Sequence, residues 1–186
     1  MSISETIANR RSIKRFTDRA VTREEMEKLL SAATLAPNHK LTQPWRFYVL
    51  GPEARYAYGL GLGARKAKKI EDAEKATQMK QNVAEEHRAL PAMLVVATVN
   101  NPDAELGEED YAATWMAIEN LSLLAVDMGL GTHIKTGAVM ADPAARAAVG
   151  VKDNERIIAI VNVGEPADVP PPKARESANA LTTWTA

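Results

Sequence analysis

The chain contains no cysteine, which excludes disulfides, thiolate metal ligands, iron–sulfur clusters and cysteine nucleophiles together. That absence leaves the redox compartment open. Aromatic residues are scarce, at 5% of 186 positions, yet 46% of the chain is hydrophobic, enough for one domain with a sizeable core. Excess charge of either sign is also lacking. The 23 Lys and Arg stand against 24 Asp and Glu for a net charge of −1, so no overall field points to nucleic acid, a membrane surface or a polyanion. Apolar runs such as Ala92–Ala97 fall far short of the roughly 18 residues a membrane span needs. The opening MSISETIANRR is charged and has no apolar h-region, so no secretory signal is expected. These absences describe a cytoplasmic globular protein that takes neither nucleic acid nor membrane as partner.

What is present reads as a mixture of helices and strands. Ser2–Asn9 predicts a short helix leading into the basic run RRSIKRF, Arg10–Phe16. Thr22 and Glu25 make a capping box, followed by Met26, Leu29, Leu30 and Ala33 on one helical face, and Pro37 marks the boundary. Trp45–Leu50, Met93–Val99 and Arg156–Gly164 predict strands, the latter two apolar enough to be covered on both faces. Residues 53–90 read as a polar, exposed helical excursion or lid. Asn100–Asp110 reads as an acidic loop, and Tyr111–Met128 as a helix apolar over most of its circumference, buried in the domain or at a subunit interface. Gly129 and Gly131 end it. Asp142-Pro143 opens a short helix that Gly150 closes. Residues 165–186, with Pro170, Pro171 and Pro172 in a row, read as an extended tail. The whole is one α+β layered domain, 1–186.

Few residues carry an obvious chemistry. Four of the six residues Arg10–Arg15 are basic, with Ser12 among them. They suit either an anion clamp or a solvated helix end where cations meet the negative pole. Gly59, Gly61 and Gly63 have the wrong spacing and lack the preceding strand of a dinucleotide fingerprint. The three histidines are scattered, and no serine-hydrolase elbow or metal motif occurs; neither a catalytic protein nucleophile nor a metal is expected.

Three segments in order, RRSIKRF, TLAPNHKLTQPWRFYVL (Thr34–Leu50) and DMGLGTHIKTG (Asp127–Gly137) before an Asp-Pro helix start, resemble the FMN-dependent nitroreductase family, particularly its small single-domain members. The resemblance runs from Arg10 to about Arg175. It implies a three-layer α/β/α sandwich with a mixed, mainly antiparallel central sheet, assembled as an interlocked homodimer. Carried over residue by residue, it implies that Arg10, Arg11 and Ser12 bind phosphate or ribityl oxygens and that Lys14 lies near the flavin pyrimidine. Lys173 and Arg175 of the tail reach the same phosphate. Leu35, Pro37, His39 and Gln43 belong to a segment that packs over the partner subunit's flavin. There His39 is a flavin ligand, a proton donor or a packed side chain; Asn38 and Leu41 depart from many relatives. Ile134, Lys135, Thr136 and Gly137 form a turn beside the isoalloxazine ring.

The activity so implied is that of an NAD(P)H-dependent FMN oxidoreductase. Hydride passes from NADH or NADPH through flavin N5 to a nitroaromatic, quinone or similar small-molecule acceptor by a ping-pong mechanism, and the cofactor carries the chemistry. Two alternatives stay open: a flavin-binding protein of this fold without turnover, and a dehalogenase-like or flavin-fragmenting relative. In the lid, Arg65, Lys66, Lys68 and Lys69 either attract a dinucleotide phosphate or form a solvated helix face.

Overall fold

A computed structural model describes residues 1–185. Strands β1 (Trp45–Val49), β2 (Ala92–Val99), β3 (Gly131–Lys135) and β4 (Glu155–Gly164) make one sheet in the order β1-β2-β4-β3. Every ladder is antiparallel, and Ser12 adds an isolated parallel bridge to Thr132 on the open side of β3. The four-stranded sheet is therefore antiparallel throughout, where the resemblance implies a mixed, mainly antiparallel one; the single parallel contact is the isolated Ser12–Thr132 bridge.

Helices cover both faces. On one lie α1 (Ile3–Asn9), α2 (Arg23–Ala33) and α5 (Ala104–Asp127), whose Met26, Leu29, Ile118 and Leu121 share a core with Leu94, Val96, Val161 and Val163. On the other lie α3 (Pro52–Ala67), α4 (Ala73–Arg88) and α6 (Pro143–Val149), where Tyr58, Ala145 and Val149 meet Met93, Val95, Ile157 and Ile160. Alternation along β2 and β4 divides their side chains between these two cores. It slips once. The register passes from Val96↔Ala159 to Ala97↔Ile157, so Ile158 is an extra, bulged residue, and Ile158 and Ala159 both join the first core. No helix of the described residues is long and apolar enough to cross a membrane.

The terminators follow the sequence signals. Ser2 and Thr22 each accept from the N3 backbone while Glu5 and Glu25 reach back, completing both capping boxes. Gly129, at φ 74°, ends α5 in a Schellman turn, with Leu130 N–H donating to Ala125 O at 2.7 Å.

Four expectations need correction. Helix α5 begins at Ala104, with Asp103 as its N-cap, so most of the acidic stretch is helix. The segment Gly131–Gly137 is not a turn: its first five residues are strand β3. Gly131 terminates nothing; a Cβ there would lie 2.4 Å from Ile13 Cγ1, so its role is close approach. Residues 53–90 are not suited to solvent alone. They form the hairpin α3–α4, which buries Tyr58, Val83, Ala84 and His87. The glycines explain how: a Cβ on Gly59 would meet Ala84 Cα at 2.6 Å and one on Gly63 would meet Lys80 Cα at 2.8 Å, so they let two helix backbones touch. The tail 165–185 is extended apart from one turn of helix, α7 (Ala178–Leu181), capped by Ser177.

Candidate functional site

The structure brings the first and third segments together at the β3 edge. Ile13 N–H donates to Thr132 O at 2.9 Å, which lays the basic run along β3. Since Thr132 turns its backbone outward, alternation turns that of Ile134 outward as well, leaving an edge that β4 does not use. After Lys135 the chain opens at Gly137, whose φ of 148° and ψ of 174° only glycine adopts readily. Nothing lies within 4 Å of where its Cβ would be, so the backbone there is bare on one side.

The cations at this edge are differently engaged. Arg11 directs Nη1 to the carbonyls of Ala8 (2.6 Å) and Arg10 (2.9 Å), the helix-end role; its Nε is buried without a partner. Arg10 makes a long, 3.5 Å ion pair with exposed Glu119, worth little in water. Ser12 and Lys14 are exposed. Strand alternation aims His133 and Lys135 at the other face, toward α3–α4. Burial, then the charge of Lys66, pushes the Lys135 ammonium down against the opposing pull of Glu86. Burial, with Lys135 and Lys14 adding to it, pushes His133 down too. The result is a group of cations that outnumbers its carboxylates, Glu119, Asp168 and Glu86, beside an open backbone edge. Such a surface favours an anion.

The second segment is elsewhere. β1 is three strand spacings from β3, about 14 Å. Trp45 lies in the row Trp45–Thr98–Arg156, whereas Thr132 pairs with Val163, which adds roughly 20 Å along the strands. Pro37, His39 and Gln43 therefore do not meet Ser12 or Thr132 within one chain. Their loop is nonetheless firmly shaped. Lys40, Leu41 and Gln43 have φ of 53°, 51° and 44°, left-handed conformations costing about 1 kcal/mol or more each. Asn38 Oδ1 accepts from Gln43 N–H at 2.6 Å and Asn38 Nδ2 donates to Thr42 Oγ1 at 2.9 Å. Thr42 donates to buried Asp110, which also accepts from Asn101 at 3.1 Å. His39 Nδ1 meets Glu109 Oε2 at 2.6 Å. Leu35 and Leu41, 81% and 76% exposed, flank this loop and cover nothing in their own chain.

Trp45 is core, at 6% exposure. Lys173 and Arg175 lie exposed in the tail, which leaves the sheet beside the basic run through Thr17 N–H to Glu165 O (2.9 Å) and Ala167 N–H to Arg15 O (3.1 Å). Sequence reasoning missed His133, Glu109 and Asp110. Only the alternation of GTHIK and the i, i+1 acidic pair at the start of α5 hinted at them.

The residues at the β3 edge fit a flavin mononucleotide. Hydroxyl and guanidinium donors with an orphaned buried Nε suit a phosphate, and the bare backbone from Ile134 to Gly137 suits a flat ring. Comparison with known proteins agrees in kind. The model of the nitroreductase family matches residues 7–165. YfhC of Bacillus subtilis (strain 168), provisionally named an NAD(P)H nitroreductase, is 32% identical over 173 residues, 93% of this chain and 89% of its own. YdjA of Escherichia coli (strain K12), named likewise, is 29% identical over 166 residues, 89% of each chain. The crystal structure of a nitroreductase-like family protein from Bacillus cereus matches with a TM-score of 0.86 and 30% identity, over 100% of this chain and 96% of that one. The FMN and NADPH-dependent nitroreductase NfnB from sphigopyxis sp. strain HMH shares the fold at a TM-score of 0.80 and 19% identity, over 100% of both chains.

Proposed function

The chain belongs to the nitroreductase family, and from that premise we propose that it is an FMN-dependent NAD(P)H oxidoreductase whose site is shared between two copies of the chain. The observation that carries this reading is the Ile13–Thr132 hydrogen bond, which sets the phosphate-type donors beside an open strand edge. When bound, FMN supplies hydride transfer at N5 from NADH or NADPH to a nitroaromatic, quinone or similar acceptor in a ping-pong sequence.

The protein's part is binding and electrostatics. Arg10 and Ser12 grip the phosphate, with Arg11 Nε behind them and Lys173 and Arg175 closing from the tail. Lys14 holds positive charge beside the pyrimidine edge, where negative charge develops on reduction. The outward N–H of Ile134 offers a donor to the ring, with Lys135, Thr136 and Gly137 lining it. Pro37, His39 and Gln43 of the second copy cover the ring and exclude water, held in shape by Asn38 and Asp110, with Leu35 at their rim. The face of α5 bearing Met116, 41% exposed, continues this contact. The α3–α4 hairpin overhangs Lys135 and acts as the lid that selects the acceptor.

The test is a visible absorbance spectrum of the purified protein before and after addition of FMN and desalting. A retained flavin band that bleaches on anaerobic NAD(P)H addition, and returns with an acceptor without flavin loss, is the expected result. A folded protein that stays colourless contradicts the reading.

A further inference from the structure

A second concavity lies between α2, the end of β1 and the start of α3. It has a volume of about 560 Å³, within the usual range of small-molecule sites. Met26, Leu30, Val49, Leu50 and Pro91 give it apolar walls. Arg55 lines it too, and its surroundings are unusual. The residue is only 8% exposed. Its guanidinium makes one hydrogen bond, Nη1 to Pro91 O at 3.3 Å, and its Nε is buried with no partner.

A guanidinium carries five donors and stays protonated in proteins, although burial pushes this one's pKa down. Burying such a cation without a counter-charge is costly. The wall's one carboxylate, Glu27, is already paired with Arg23 at 2.7 Å. The neighbouring Glu53 is paired with Arg88 at 3.1 Å. The cleft therefore has one uncompensated positive charge at the end of an apolar hollow.

We propose that this cleft binds a small monocarboxylate with an apolar body, its carboxylate on Nη2 of the Arg55 guanidinium, the terminal nitrogen without a hydrogen bond, and its body against Met26, Leu30 and Leu50. A planar carboxylate matches the guanidinium fork. One charge neutralises one cation; a phosphate dianion would find no second free cation in the wall. The flavin site plays no part in the argument, so each reading stands or fails alone.

The experiment titrates hexanoate into the purified protein and into the same protein carrying Arg55→Gln or Leu30→Trp, following backbone amide NMR shifts, with hexanamide as the neutral control. Saturable shifts of residues around the cleft are expected for hexanoate, about tenfold or more weaker for hexanamide and for Arg55→Gln, the loss of a charge-assisted pair. Leu30→Trp keeps Arg55 but fills the hollow, so it abolishes the shifts, and it carries the test if Arg55→Gln does not fold. Equal binding by Arg55→Gln, or equal binding of hexanamide, overturns the proposal. So does wild-type protein that ignores hexanoate because a segment of a second copy occupies the cleft, which cross-linking from a Leu30→Cys variant detects.

Discussion

The two edges of the sheet are built on opposite principles. At the β3 edge the backbone is open and the charge is unbalanced: Ser12 and Lys14 are exposed, and Lys135 is pushed down by burial and by Lys66. At the β1 edge the loop 38–43 is tied by Asn38, Asp110 and Glu109 into three left-handed conformations, yet its Leu41 stays 76% exposed. One edge has donors waiting for a ligand. The other has a finished shape waiting for a surface. Strain of this kind persists only where surrounding contacts over-determine it, and here those contacts aim the loop outward. On the function proposed above, the difference is what makes each edge one half of a flavin site.

The strongest way to break that comparison is at the β3 edge. Arg10→Ala with Ser12→Ala removes the two donors proposed for the phosphate and should weaken FMN affinity by about 100-fold, roughly 3 kcal/mol. Far-ultraviolet circular dichroism should be unchanged, because the Arg10–Glu119 pair is long and exposed. Fluorescence titration with FMN checks this; affinity within a few-fold of wild type defeats the phosphate assignment.

At the other edge, Asp110→Ala leaves Thr42 and Asn101 without their buried acceptor. A loss of about 2 kcal/mol in chemical denaturation is expected, together with weaker FMN retention. Loss of stability alone, with FMN affinity intact, would detach the loop from the cofactor.

Gly131→Ala should cost about 1–3 kcal/mol by driving a Cβ into Ile13. Combined with Ile13→Ala, the two effects should be non-additive in a double-mutant cycle. Additivity would mean that the basic run does not rest on β3 as described.

Acid provides a gentler probe. His87 and His133 are both held below their usual 6.5, first by burial, then by Lys135. Both are neutral in the fold, so the unfolded chain takes up protons first as pH falls below 6.5. Their contribution to stability is fully present above that pH and is lost as pH drops toward the depressed folded values. Denaturation at stepped pH should show this loss, and His87→Gln should flatten it. The smallest effect is expected from Leu41→Gly, which relieves a left-handed residue: a change in stability of about 0.5 kcal/mol or less, neutral to favourable.

Much of the fold was legible because its signals are local. The capping box at Thr22, the apolar runs of β2 and β4, and Asp142-Pro143 each act within a few residues. β3 was not legible: GTHIK is short, begins with glycine and carries two titratable side chains, and only pairing with β4 and Ile13 makes it a strand. The first two turns of α5 were hidden because Asp103 is one acid among several, and only geometry distinguishes a cap. The burial of α3–α4 was obscured by Lys, Glu and Gln on its outer faces, while Gly59 and Gly63 signalled close packing that nothing in the spacing alone could assign. The site residues were reached through the three family segments. The left-handed loop and the orphaned Arg55 depend on contacts distant in sequence, so no window of sequence reveals them.

The central claim, that each flavin lies between the β3 edge of one chain and the 38–43 loop of another, is tested most directly by complementation. A variant with Arg10→Ala and Ser12→Ala is unfolded and refolded together with a variant carrying His39→Ala and Gln43→Ala, each alone expected to lose its flavin band on desalting. Mixed dimers contain one intact site each, so about one quarter of all sites should regain a flavin band that NAD(P)H bleaches. Mixtures that stay as colourless as the separate variants, while forming mixed dimers, would show that one chain builds its own site.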